Sequence, residues 1–412
     1  MVGYSTMMEV KLWVQTTKEA EVHIAYWVKG EEKQKFLTNK VKTEERKAFA
    51  VHLLADKVQP GNTYEYSLFI NDKSVNVDHE LSFQSQTLWQ WRTDPPEFKF
   101  ALGSCNYVIE PKYDRPGDPY GSDYHIFNSI HKSDPDFMLW LGDNIYLREA
   151  DWNSKTGIYH RYTHNRSIPE VQPLLGSVHH YAIWDDHDFG PNDSDASYVN
   201  KKITEQAFKD FWANPNYGIT GEGGITGSFQ WADIEFFLLD NRYFRTANWN
   251  KVSEKELLGE KQIQWLINAL SASRASFKFV VMGGAWLNDV PRFERYSTFP
   301  EEREKVLKLL KESGARGIVL LSGDIHHTEL SKMEFEDHYP FYELTTSSLT
   351  AGISKNDSND NQYLVPKTEV YEHNYAIMKV SGARKERILN IEIYNDQGNL
   401  MWEKSIEAKD LK

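Results

Sequence analysis

The sequence holds one cysteine, Cys105, among 412 residues. No intramolecular disulfide can form, and the paired cysteines that mark an oxidising compartment are absent. No run of about 18 apolar residues occurs, which excludes a hydrophobic transmembrane helix; the apolar runs 137–141 and 279–287 are of strand length. There is no Gly-Lys dipeptide, hence no Walker A phosphate loop, and neither a Gly-x-Ser-x-Gly elbow nor a His-Glu-x-x-His pair. Basic residues are outnumbered 47 to 60, leaving a net charge of −13. Long nucleic acid and anionic lipid surfaces need a field of the opposite sign, whereas a small phosphorylated substrate needs only a local positive site. With 40% hydrophobic and 14% aromatic residues the chain has enough apolar surface to fold. Met1–Met8 has neither the basic start nor the apolar core of a signal peptide. Strand-like alternation (Met8, Val10, Leu12, Val14) begins almost at once, as it would if a targeting segment had been removed.

What is present falls into two patterns. Residues 1–97 read as short strands: Met8–Val14, Val22–Val28, then Phe49, Val51, Leu53 and Tyr64, Tyr66, Leu68 in alternation, separated by turn signals at Lys29-Gly30 and Pro60-Gly61-Asn62. Regular short strands with such spacing predict a small β-sandwich. Arg92-Thr-Asp-Pro-Pro interrupts the pattern and sets the boundary at residue 97. From residue 98 apolar strands alternate with helical stretches over 123–132, 201–212, 255–273 and 301–313, predicting an α/β domain over 98–412. Residues 375–404 return to strands around the turn Asn395-Asp-Gln-Gly-Asn. The glycine-dense echo Gly218-Ile-Thr-Gly and Gly224-Ile-Thr-Gly reads as a loop or hairpin, with a lid as the alternative.

The chemistry concentrates at strand ends. Phe98–Leu102 runs into Gly103-Ser-Cys-Asn, Phe137–Leu141 into Gly142-Asp-Asn-Ile-Tyr and Tyr181–Trp184 into Asp185-Asp-His-Asp. Glu235–Leu239 runs into Asp240-Asn-Arg and Ile318–Leu321 into Ser322-Gly-Asp-Ile-His-His. In open α/β sheets ligands bind beyond the carboxyl ends of strands, so five such ends predict one shared site. Taken singly, Gly142-Asp-Asn fits an ordinary capped turn and Cys105 a small buried side chain. The three carboxylates of Asp185-Asp-His-Asp repel one another unless a cation or solvent screens them. Together the five ends favour a metal.

This ordered set, with Gln264-Trp-Leu, resembles the alkaline phosphatase D (PhoD-like) family of calcineurin-like metallophosphoesterases, over roughly residues 98–330 and with a fibronectin type III-like β-sandwich ahead of it. The resemblance implies a four-layer sandwich of mixed sheets flanked by helices, an exported (periplasmic or secreted) protein, and a metal-dependent hydrolase of small phosphomonoesters or phosphodiesters. It implies Cys105, Asp143, Tyr146 and His326 as ligands of iron(III), a choice that thiolate and phenolate donors favour. Asp143, Asp186 and Asp324 form an oxygen-only second site, which suits calcium, with manganese the runner-up. Here the chain departs from the common pattern: Asp186 stands for an asparagine, Asp324 for a histidine, and no histidine occurs near Val281-Met-Gly-Gly-Ala-Trp. Asp185 and Asp188 either hold another calcium or support the ligands. His187 aligns with the catalytic histidine, and Arg242 and Arg245 are candidates to clamp phosphoryl oxygens or to form surface ion pairs. Two other readings remain open: a thiol hydrolase using Cys105 and His187, and a calcium-stabilised binding protein without catalysis.

Overall fold

A computed structural model describes residues 1–292, 294–354 and 360–412. Two large mixed sheets stack face to face. The nine-stranded sheet carries Phe98–Gly103, Phe137–Leu141 and His179–Ile183 as parallel neighbours. The six-stranded sheet carries Ile234–Leu238, Lys278–Val281 and Ile318–Ser322, again parallel to one another. Phe137–Leu141 and 318–321 read as unbroken apolar runs because both faces are covered. Aromatic rings fill the space between the sheets. Phe100 stacks on Phe137 at 4.8 Å and meets Phe236 edge-on at 5.3 Å, while Tyr181 lies on Phe229 at 3.7 Å. Truncating one such ring costs about 3–5 kcal/mol.

Helices close the outer faces. Lys155–Arg166, Gln172–Ser177 and Lys201–Phe211 accompany the nine-stranded sheet, and Glu260–Ala272 and Pro300–Glu312 the other. The first two of these were not legible as periodic segments. Among the described residues no helix is long and apolar enough to cross a membrane. The mixed α/β architecture agrees with the sequence-based expectation.

The amino-terminal sandwich forms, but it does not stand apart. Val10–Gln15 pairs with Ala50–Ala55, Glu21–Val28 pairs with Thr63–Ile70, and Leu12, Ile24, Leu53, Tyr26 and Phe83 fill the space between. Its strand Val2–Ser5 then pairs in parallel with His179–Ile183, so the nine-stranded sheet runs through both regions. His179 seals the seam: Nδ1 lies 2.7 Å from Gly3 O and Nε2 accepts from Gln84 N at 3.1 Å. The nine-stranded sheet thus runs across residue 97, the boundary expected from the sequence.

The stretch 218–227 folds back on itself, Ile219 N donating to Thr226 O at 3.2 Å, with an exposed tip and residues 224–227 buried. Gly224 N donates to Glu205 Oε1 at 3.1 Å and Ile225 N to Asp240 Oδ2 at 2.9 Å, leading into the strand Gly227–Trp231.

Candidate metal centre

Parallel strands in two facing sheets bring their carboxyl ends to one edge of the molecule. Just past those ends Cys105, Asp143, Asp324 and His326 all take left-handed backbone angles, with φ of 59°, 50°, 72° and 59°. Non-glycine residues adopt this conformation at a cost of about 1–3 kcal/mol each, and such strain gathers at functional sites. The turn after Phe137–Leu141 also needs Gly142 at φ 96°.

The ends converge on a cavity of about 390 Å³ lined by Asp143, Asp186, His187, Glu294, Asp324 and His326. Donor atoms of Cys105, Asp143 and His326 lie within 4.8 Å of one another. The hydroxyl of Tyr146 is 3.2 Å from His326 Nε2. The same 4.8 Å limit groups Asp143 with Asp186 and His187, and Asp185 with Asp186 and Glu294. Asp324 lines the cavity but belongs to none of these groups. Within that limit it is His187, and not the Asp324 expected from the sequence, that groups with Asp143 and Asp186.

The electrostatics call for a cation. Burial, then Asp186 and Cys105, push Asp143 well above the usual carboxylate range. Burial, then Glu294, do the same to Asp186, and burial, then Asp185, to Asp324. Burial likewise raises Cys105 and Tyr146. A bound metal ion would offset each of these shifts, because it favours the deprotonated ligand. Asp186 Oδ1 and Asp185 Oδ2 are buried without a hydrogen-bond partner, leaving lone pairs for such an ion. Thiolate, phenolate, imidazole and carboxylate donors together fit a transition metal, and the carboxylates alone a hard divalent ion.

His187 lies with its ring 4.2 Å from that of Tyr146, and its backbone N donates to Asp143 Oδ1 at 3.2 Å. Burial lowers the imidazole to about 3, so the ring is neutral unless an anion approaches. Asp188 is taken up by protein donors: Asp185 N at 3.0 Å and Asn144 Nδ2 at 3.0 Å. Asp185 accepts from Asn241 Nδ2 at 2.8 Å and from Arg242 Nε.

Arg242 and Arg245 do not face the cavity, which corrects their expected clamping role. Both are fully buried behind it. Arg242 joins Asp185 to Glu294, with Nη1 2.6 Å from Glu294 Oε1, and Arg245 Nη2 lies 3.4 Å from the same oxygen. The arginines that do line the cavity are Arg292 and Arg295. They and Glu294 escaped the sequence reading because they sit in a loop without periodicity. A signal existed in Gly283-Gly284, at the end of the strand Lys278–Val281. A Cβ on Gly283 would meet Asp185 Cγ at 2.5 Å, a close approach that only glycine allows.

Comparisons with known proteins concern the family and the fold. The PhoD-like phosphatase family pattern matches residues 100–397. Alkaline phosphatase D of Bacillus subtilis (strain 168) is 23% identical over 358 residues, covering 73% of this chain; the chain spans only 56% of that relative's length. The solved structure of PhoD superposes with a TM-score of 0.76 at 17% identity, covering 98% of this chain and 91% of the other. A purple acid phosphatase, PPD1, from yellow lupin (Lupinus luteus) seeds gives 0.71 at 11% identity, covering 100% and 74%. Those two likenesses concern the fold, and the match over residues 100–397 covers most of the chain: it belongs to the PhoD-like phosphatase family.

Proposed function

We propose that this chain hydrolyses small phosphoesters at a two-metal centre, with iron(III) held by Cys105, Asp143, Tyr146 and His326. A hard divalent ion, calcium in preference to manganese, would be held by Asp143, Asp186 and Asp324. The observation that carries the reading is the convergence of these side chains at one edge shared by two sheets. Bound metal ions supply charge neutralisation and a water of lowered pKa. In the reaction the water oxygen joins phosphorus, the ester P–O bond breaks, and the departing oxygen takes up a proton.

The protein's part is to hold and shield. Asp143 stands between the two donor groups. Arg292 and Arg295 bring positive charge to the cavity wall, and Arg295 Nη1 is itself steadied by Asn288 Oδ1 at 3.0 Å. His187 is the proton donor to the leaving oxygen. An arriving phosphoryl anion raises its pKa from the buried value, which couples protonation to substrate binding. The exported location belongs to the same proposal and rests on family membership. The thiol-hydrolase reading loses support because Cys105 is fully buried and its thiol is pushed up by burial, with Ser347 Oγ, not His187, at 3.0 Å.

The test is elemental analysis of untreated protein, followed by chelation with EGTA and readdition of single ions. Iron and calcium near one each, with activity restored by calcium rather than magnesium, are expected. Asp186→Ala and Asp324→Ala should lose calcium and activity together. Retained calcium and rate in both variants would overturn the ligand assignment, and full activity in metal-free protein would overturn the function.

A further inference from the structure

A second cavity, of about 520 Å³, lies on the other side of His187. It shares Tyr120, His187 and Asn192 with the metal-lined cavity and is walled beyond them by Tyr107, Arg148 and Trp152. We infer that this second cavity is a subsite for an anionic group carried on the substrate's leaving arm, with Arg148 as its anchor. The inference rests on the phosphoesterase reading and specifies which esters that site prefers.

Arg148 is the reason. It is only 6% exposed, yet its guanidinium forms no hydrogen bond or ion pair among the described residues, and Nε is buried without a partner. Its guanidinium carbon lies over the Tyr107 ring, 5.2 Å from the centroid. A buried charge ordinarily has a partner, because desolvating it alone is costly. The other arginines of comparable burial near the site are engaged: Arg242 and Arg245 by Glu294, Arg161 by Asp151, and Arg295 by Asn288. With Tyr107 on one side and the cavity on the other, the guanidinium is placed to receive an anion, which it can bind in a bidentate fashion. Asp114 and Glu149, both near Arg148, are engaged elsewhere. Asp114 accepts from Tyr107 Oη and Glu110 N, both at 2.7 Å, and Glu149 pairs with Arg115 at 2.7 Å. Since His187 faces both cavities, a leaving oxygen beside it directs its arm towards Arg148.

A matched pair tests this. 3-Phosphoglycerate and glycerol 3-phosphate differ only in a carboxylate in place of a hydroxymethyl group. The parent protein should favour the carboxylate by roughly ten- to a hundredfold in kcat/KM, the range of a charge-assisted hydrogen bond. Arg148→Gln should abolish the preference while leaving glycerol 3-phosphate nearly unchanged, and Arg148→Lys should keep part of it. Equal rates on the two esters in the parent, or equal slowing of both in Arg148→Gln, would overturn the subsite. If the metal-loaded parent hydrolyses neither ester, the hydrolase reading fails first. Calorimetric binding of 3-phosphonopropionate against propylphosphonate then decides the subsite, with a preference lost in Arg148→Gln supporting it and equal affinity ending it.

Discussion

Arg242→Met separates a supporting arginine from a phosphate clamp. The guanidinium has no exposure and spans three carboxylates: Nε to Asp185, Nη1 to Glu294 at 2.6 Å, and Nη2 to Asp186 at 3.7 Å. Removing it leaves buried anions without their counter-charge, which typically costs 3–5 kcal/mol, or about that here. The charge state of Glu294 points the same way. Burial works to raise it, yet Arg242 and then Arg245 outweigh burial and bring it from 4.5 to about 2. At about 1.4 kcal/mol per unit, that preference for the charged form is worth roughly 3 kcal/mol. For an acid whose folded value is depressed, the contribution is complete above the unfolded value of 4.5 and fades as pH falls towards 2. Urea unfolding at neutral pH therefore reads all of it. The expected result is a loss of about 3–5 kcal/mol in metal-free protein. Glu294→Gln in the same chain should restore part of this, so that the double variant loses less than the sum of the single ones. Activity per bound metal should change little. A variant within about 1 kcal/mol of the parent, fully loaded with metal but slowed about a hundredfold, would show that Arg242 clamps the phosphoryl group after all.

Metal-loaded protein should show a visible charge-transfer band that weakens in Tyr146→Phe; colourless protein with stoichiometric zinc would end the iron assignment. His187→Ala should slow alkyl phosphoesters by ~10²–10⁴-fold and activated aryl esters much less. Equal slowing at full metal occupancy would make His187 an orienting group instead. At the seam, burial lowers His179 from 6.5 to about 4, so between these values the unfolded chain binds a proton that the folded one refuses. Stability should fall by roughly 3 kcal/mol as pH drops through that window. His179→Phe should flatten this part of the unfolding free-energy profile, and an unchanged slope would refute the attribution.

Much of the site was legible because its signals are local. An apolar strand followed by Gly-Asp or Ser-Gly-Asp is written in a few consecutive residues, and the parallel neighbours His179–Ile183 and Phe137–Leu141 follow from the alternation of strands and helices. The expected strand Phe137–Leu141 forms as read, and the helices over 201–212 and 301–313 appear as Lys201–Phe211 and Pro300–Glu312. The seam between the two regions was not legible. Val2–Ser5 pairs with a strand far along the chain, and nothing in its four residues names that partner.

Sequence alone determined which residue types stand at the strand ends, and with them the family and the metal-ligand candidates. Tertiary structure alone decided what the long charged side chains do. Arg242 follows a strand end just as a substrate-binding residue would, but it meets Asp185 and Glu294 from 57 and 52 residues away. Arg148 looks like any surface cation in the sequence, yet folding buries it without a counter-charge. The physical reason is reach. Hydrophobic period and turn chemistry act within a few residues, whereas an arginine's pairing depends on which distant loop the packing of two sheets brings to its guanidinium.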